Sequence, residues 1–272
     1  MSFYARLRTI QKKNNSLLCV GLDPDIRKIP QHLLTCNDPI GEFCRRIIEV
    51  TSDLVCAYKL NLAFFEALGE QGWSTVHRVL ATIPAEVITI GDAKRGDIGN
   101  TAEMYARALF DDFKFNAATV NAYMGEDSIG PFIENSAHGA FLLALTSNTG
   151  ARDFQHLKVR GKPLYEHVAA KAKKWNRNEN IGLVVGATRP AQLKRVRLLA
   201  PEIPLLIPGV GAQGGDVKLA IRDGCDPHGG MALVNASRSI IYASSGEDFA
   251  EAARSSAAAL CGQMNRYREQ YF

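Results

Sequence analysis

Phe141-Leu142-Leu143-Ala144-Leu145 is an unbroken apolar run, and how it is read decides the fold. A strand with one wet face alternates polar and apolar residues, whereas a parallel strand covered on both faces does not. Gly182-Leu183-Val184-Val185-Gly186 has the same character. Working outward, short apolar runs recur at 17–22, 55–60, 86–91, 116–121, 140–146, 181–186, 204–208 and 231–235, each followed by a stretch of helical periodicity. Eight strand–helix units in succession predict an α/β fold, the (β/α)8 or TIM barrel. The competing arrangement is an open doubly wound sheet, which would divide more naturally into two halves. No Pro/Gly/Ser-rich linker, low-complexity tract or charge block marks a boundary, so residues 1–272 are expected to form a single barrel domain.

The composition, 46% hydrophobic and 22% charged, is that of an ordinary globular chain. Its net charge of +4 arises from 32 basic and 28 acidic residues, without the clustered basic face that nucleic-acid binding requires. No nucleic-acid partner is expected, and a small anionic ligand remains compatible. Cys19, Cys36, Cys44, Cys56, Cys225 and Cys261 show no Cys-x-x-Cys pairing, which points to reduced thiols in the cytoplasm. No apolar stretch reaches the ~18 residues of a membrane span, so no membrane partner is expected. Residues 1–22 carry Arg6, Arg8, Lys12 and Lys13 and no acid, weakly like an amphipathic targeting peptide. However, Ser16-Leu17-Leu18-Cys19-Val20-Gly21-Leu22 already reads as the first core strand, so a short N-terminal helix closing the barrel bottom is the preferred reading.

Barrel enzymes of this kind carry their sites at the carboxyl ends of the strands. The polar residues expected there are Asp23 after strand 1, Lys59 and Asn61 on strand 2, Thr146-Ser147 after strand 5, Gln213 after strand 7 and Ser237-Arg238 after strand 8. Strand 3 leads into Asp92-Ala93-Lys94-Arg95-Gly96-Asp97-Ile98-Gly99-Asn100-Thr101. On a strand, residues two apart share a face. Asp92 and Lys94 should therefore point together, with Gly96 turning the chain so that Asp97 brings a third charge. A lone Asp-x-Lys-x-x-Asp would fit a solvated turn, but its place after a buried run favours a site. Lys59 lies within the apolar strand Val55-Cys56-Ala57-Tyr58-Lys59-Leu60 and needs a carboxylate, for which Asp92 is the neighbour one strand away. Asp23 reads either as a ligand or as the turn residue of Asp23-Pro24-Asp25.

Pro208-Gly209-Val210-Gly211-Ala212-Gln213-Gly214-Gly215 contains Gly-x-Gly-x-x-Gly. Its place after the seventh strand, with Asn235 where a ribose-binding acid would stand, favours a phosphate loop over a dinucleotide fingerprint. Backbone N–H groups and a bidentate Arg238 would then hold the anion; the bland alternative is a tight turn beside a surface arginine. Asn100-Thr101-Ala102-Glu103 reads as a helix start with Asn100 as N-cap, leaving Thr101 structural, functional or both. The polar connection 147–161 is either a lid or a surface loop. The six histidines show no metal-ligand spacing, and no Gly-x-Ser-x-Gly elbow supports acyl transfer.

Together, Leu22-Asp23-Pro24-Asp25, Tyr58-Lys59-Leu60-Asn61, the Asp92 to Thr101 run, Thr146-Ser147-Asn148, Pro208-Gly209-Val210-Gly211-Ala212-Gln213 and Ser237-Arg238 resemble the orotidine 5'-phosphate decarboxylase family in its longer-chain branch. The resemblance runs from the first strand to the last. Two departures touch ligand-proximal loops: Ser237 stands where the shorter branch has glycine, and Thr149 where Ser-Asn-Pro-Gly is often seen. The resemblance implies conversion of orotidine 5'-monophosphate to uridine 5'-monophosphate and CO2 in pyrimidine biosynthesis, with no metal or organic cofactor. It implies Lys94 as proton donor to the C6 carbanion, Asp92 beside the substrate carboxylate, and Lys59 holding Asp92 ionised while contacting the ribose. It further implies a homodimer in which Asp97 reaches the neighbouring site, with Thr101 beside it. Asp23 would bind a ribose hydroxyl, Ser147 the pyrimidine edge, and Gln213 with Arg238 the phosphate, with Asn61 and Pro208 also in contact with substrate. One alternative is a magnesium-dependent phosphosugar decarboxylase or aldolase of the same superfamily, typically with glutamate where this chain has Asp92. The other is a non-catalytic barrel that binds a phosphate ligand, which would predict a broken charge array.

Overall fold

In the computed structural model, which describes residues 1–210 and 214–272, the eight apolar runs become eight parallel staves. They are β1 (Leu18–Leu22), β2 (Ala57–Asn61), β3 (Ile88–Arg95), β4 (Ala117–Val120), β5 (Gly139–Leu145), β6 (Ile181–Val185), β7 (Leu205–Pro208) and β8 (Ala232–Ala236). Each pairs with its neighbours in sequence, and β8 pairs with β1 to close the (β/α)8 barrel. Every residue of β1, β6 and β8 is buried, because side chains fill the barrel on one side and helices cover the other. The main helices are α1 (Phe3–Lys13), α2 (Pro39–Thr51), α3 (Glu70–Thr82), α4 (Gly99–Arg107), α5 (Glu126–Ile133), α6 (Leu164–Trp175), α7 (Pro190–Leu199), α8 (Val217–Gly224) and α9 (Phe249–Tyr271). Among the described residues no helix is long and apolar enough to cross a membrane.

The first helix closes the amino end of the barrel. Ser2 caps α1, and Phe3 and Leu7 are fully buried. Tyr4 donates from its hydroxyl to the Ile181 carbonyl at 2.6 Å, and Gln11 donates to the Ala232 carbonyl at 2.8 Å. The rings of Phe3 and Phe141 meet edge to face, 5.8 Å apart. A Cβ at Gly139 would lie 2.7 Å from the Phe3 ring and one at Gly182 2.3 Å from Phe141, so these two glycines make room for the aromatic plug.

The connection after β5 has structure of its own. It contains a helical turn, Ala151–Phe154, and a small hairpin pairing Lys158–Val159 with Lys162–Pro163. The Gln155 amide ties it to the barrel, accepting from the Thr146 N–H at 2.8 Å and donating to the Thr146 hydroxyl at 2.9 Å.

Candidate active site

The cleft at the carboxyl end of the barrel is lined by Asp23, Lys59, Asn61, Asp92, Lys94, Thr146, Ser147, Pro208 and Arg238, which gathers side chains from six strands or the loops after them. Its charged centre is a chain of contacts. The Lys59 ammonium lies 2.9 Å from Asp92 Oδ2 and 3.5 Å from Asp23 Oδ1, and Lys94 Nζ lies 2.7 Å from Asp92 Oδ1. Lys59 and Asp92 have side chains only 6% and 10% exposed, whereas Lys94 is 50% exposed and faces the open cleft. Burial on its own would raise the Asp92 pKa. The charges of Lys59 and Lys94 and their hydrogen bonds outweigh it and hold the carboxyl well below the usual carboxylate range. Burial likewise disfavours the Lys59 ammonium, but Asp23 and Asp92 overcome it and raise its pKa, so the pair stays ionised.

The backbone that delivers Lys94 is not a regular strand. Gly91 pairs with Ala118 and Arg95 with Val120, so four steps of β3 oppose two of β4 and the ladder carries a bulge. Lys94 itself is left-handed, with φ 49°, a conformation that costs a non-glycine residue free energy and is found preferentially at functional sites. Its N–H donates to the Thr119 hydroxyl at 2.9 Å, and that hydroxyl donates to Asp92 Oδ1 at 2.8 Å. Thr119 therefore fixes both the strained backbone and the carboxylate. Arg95 points away from the cleft, where it pairs with Glu66 and lies 5.2 Å over the Tyr105 ring.

Three sequence expectations change here. Gly96 does not make the turn: the positive φ values fall at Lys94 and Gly99 (54°), and Gly96 instead permits close approach to Asn121 and Met124. Asn100 is not the N-cap of α4; the helix begins two residues earlier than that reading places it, with Ile98 at the cap position and no side-chain cap. Asp97 does not join the other charges: it follows the bulge of β3 and lies outside the cleft. Asp97 and Thr101 are both absent from the cleft lining, and Asp97 Oδ1 accepts from the Ile98 N–H at 2.8 Å.

At the far end, Gly209 (φ 97°) and Gly214 (φ 78°) bracket the loop after β7, and the Gly215 N–H donates to the Gly209 carbonyl at 3.0 Å. Gln213 lies outside the described residues. Arg238 is exposed at the start of the short helix Arg238–Ile241, and its guanidinium makes no hydrogen bond or ion pair to the described residues, which leaves it open to a ligand. Tyr242 braces the β1 turn: its hydroxyl accepts from the Asp25 N–H at 2.6 Å and donates to the Asp23 carbonyl at 3.1 Å.

A family model described as orotidine 5'-phosphate decarboxylase / HUMPS family matches residues 16–254. The chain is 50% identical over 275 residues to the orotidine 5'-phosphate decarboxylase of Dehalococcoides mccartyi, with all of both chains covered. The chain belongs to the orotidine 5'-phosphate decarboxylase / HUMPS family. It is also 48% identical to the orotidine 5'-phosphate decarboxylase of Herpetosiphon aurantiacus, over 95% of this chain and 96% of that one. Among solved structures, the Leishmania donovani OMP decarboxylase superposes with a TM-score of 0.88 at 40% identity, covering 99% of this chain and 100% of that one.

Within this orotidine 5'-phosphate decarboxylase / HUMPS family member, sequence reasoning overlooked Thr119 and Asn235. Thr119 had a visible signal, a hydroxyl at the end of the buried run Ala117-Ala118-Thr119-Val120 on a strand otherwise without a polar side chain. Asn235, buried on β8 and lining the cleft, carries an amide among apolar neighbours in the same way.

Proposed function

We infer that the chain decarboxylates orotidine 5'-monophosphate to uridine 5'-monophosphate, in pyrimidine biosynthesis. The observation that carries this reading is the intact Lys59–Asp92–Lys94 array at the carboxyl end of the barrel, in a chain half identical along its whole length to a decarboxylase. The bond between C6 and the carboxylate breaks, CO2 departs, and the electron pair stays on C6 with no adjacent carbonyl to take it. The site must therefore supply a positive charge and a proton there. Lys94 meets both needs, transferring a proton from Nζ to C6. Asp92, kept ionised by Lys59, lies beside the substrate carboxylate and disfavours that ground state more than the departing CO2. Asp23 and Lys59 receive ribose hydroxyls with Asn61 nearby, Ser147 the pyrimidine edge, Pro208 the nucleotide's apolar side, and Gln213 and Arg238 the phosphate.

The test is loss of orotidine 5'-monophosphate absorbance in excess chelator. Fast metal-independent turnover is expected; turnover only with added magnesium would move the assignment to the phosphosugar chemistry, and none at all to a binding barrel.

Asp97 and Thr101 act, in this reading, across a homodimer. In support, they sit outside the cleft among exposed apolar side chains, Ile98, Met104, Tyr105, Tyr123 and Met124, of the kind an interface covers. Lys94→Ala and Asp97→Ala proteins should each be nearly inactive alone. After mixing and subunit exchange, half the dimers are mixed and one of their two sites is intact, so activity should return to roughly a quarter of wild type. No recovery between two inactive variants would place Asp97 in its own chain's chemistry, and an active Asp97→Ala protein would place it outside the chemistry altogether.

Phosphate binding far from C6 contributes through loop closure. Arg238→Ala is expected to lower kcat/KM by at least ~10²-fold, with partial rescue by free guanidinium; an unchanged kcat/KM would remove Arg238 from the site. The free, mostly buried thiols fit a reducing compartment, the cytoplasm, and the mixed surface charge fits a protein without nucleic-acid partners.

A further inference from the structure

Asn235 takes no part in the chemistry above, yet it is the polar side chain that β8 turns into the cleft. Its register places it between Pro208 of β7 and Cys19 of β1, hence between the loop after β7 and the turn carrying Asp23. The inner wall on its β7 side is apolar, formed by Leu143, Val184 and Leu206. The Cys19 thiol lies beneath it with Sγ 3.5 Å from Asn235 Oδ1. Cys19 is fully buried, and burial raises its pKa well above the ordinary value, so it remains a thiol and donates. That donation orients the amide, with Oδ1 toward the thiol and Nδ2 toward the cleft, where no described protein group accepts from it. Gly21 makes the arrangement possible, because a Cβ there would lie 3.2 Å from Asn235 Oδ1 and 2.9 Å from Ser237 Cβ.

We propose that Asn235 is a substrate-contacting residue, its Nδ2 donating to an acceptor-only oxygen of the ribose–phosphate bridge, and that Cys19 is the positioning residue that holds its amide in that orientation. The acceptor follows from placement: the amide lies between the group that would hold phosphate, Arg238, and the group that would hold ribose hydroxyls, Asp23. In that stretch a 5'-nucleotide offers a ring ether oxygen and an ester oxygen, both without protons. The assignment rests on the nucleotide reading of the same cleft.

The experiment measures uridine 5'-monophosphate affinity by calorimetry and orotidine 5'-monophosphate kinetics, with thermal unfolding of each variant. Asn235→Leu, similar in volume without the donor, should weaken nucleotide binding about tenfold and raise KM in proportion, with a smaller change in kcat. Asn235→Asp, which keeps the shape and replaces the donor by a charge facing the phosphate, should weaken binding further. Cys19→Ala should weaken it about threefold, Cys19→Ser should restore it, and Cys19→Ala should add nothing in the Asn235→Leu background. Wild-type affinity in both Asn235 variants, while the wild-type enzyme turns over substrate, overturns the proposal. A Cys19→Ala effect equally large in both backgrounds overturns the positioning role. A wild-type protein that neither binds nor converts the nucleotide means that the reading of the cleft has failed, and this assignment with it.

Discussion

Lys94→Ala is expected to lower kcat by at least ~10⁴-fold, because it removes the proton donor and the positive charge facing the developing carbanion together. Nucleotide affinity should change far less. Asp92 keeps Lys59 at 2.9 Å and the Thr119 hydroxyl at 2.8 Å, so the charged floor of the cleft survives the substitution. Loss confined to kcat, with uridine 5'-monophosphate still bound, is the expected signature of an interaction made in the transition state. Lys94→Arg should recover little, since a guanidinium is a poor proton donor and its planar fork does not superpose on the ammonium. A kcat within tenfold of wild type would remove Lys94 from the chemistry. The alanine should still fold, because the left-handed backbone at φ 49° is also held by the Thr119 hydroxyl and Asp92 keeps Lys59.

The largest effect on stability is expected at Arg197, which is 8% exposed on α7 and has no carboxylate partner among the described residues. Its guanidinium donates instead to five carbonyls: Gly224 from Nε and Nη2, Met231 from Nη2, and Ala200, Pro201 and Ile203 from Nη1, at 2.6 to 3.1 Å. These carbonyls belong to the end of α8, the turn after α7 and the approaches to β7 and β8, so one side chain ties together the last quarter of the barrel. Burial lowers its pKa to about 10, which still leaves it charged at neutral pH. Arg197→Ala leaves a cavity and strands buried acceptors, and should cost on the order of 4 kcal/mol. For a chain of this size that is a fall in Tm of roughly 10 °C. Lysine should rescue little, having three donors on one nitrogen where five acceptors surround a planar fork. Urea unfolding reads the result, and a change below about 1 kcal/mol would show that water replaces the guanidinium without penalty.

Arg197 also marks the boundary of what the sequence reveals. Lys194-Arg195-Val196-Arg197 reads as the solvated face of a helix, and nothing local separates Arg195, which pairs with Glu166, from the buried arginine two residues on. The partners of Arg197 are backbone carbonyls up to 34 residues away, and a carbonyl has no residue identity to betray it. Thr119 and Asn235 were more nearly legible, as hydrogen-bonding side chains within buried strands. The 147–161 connection read as a plain polar loop because two-residue strands and a single helical turn are too short to impose a period.

Hydrophobic patterning alone determined the barrel, its strand order and the plugging helix, because burying both faces of a parallel strand demands continuous apolar runs and each adds its own local signal. It also determined that Lys59 needs a carboxylate, since an unpaired ammonium inside an apolar strand is too costly to persist. Tertiary structure alone decided how Lys94 reaches Asp92. Alternation along a regular strand forecast that meeting, but the actual route is a bulge and a left-handed residue held by a hydroxyl from the next strand. Beyond the same bulge, Asp97 lies outside the cleft of its own chain. Such features depend on contacts between strands, and a contact across the sheet leaves no period along the chain.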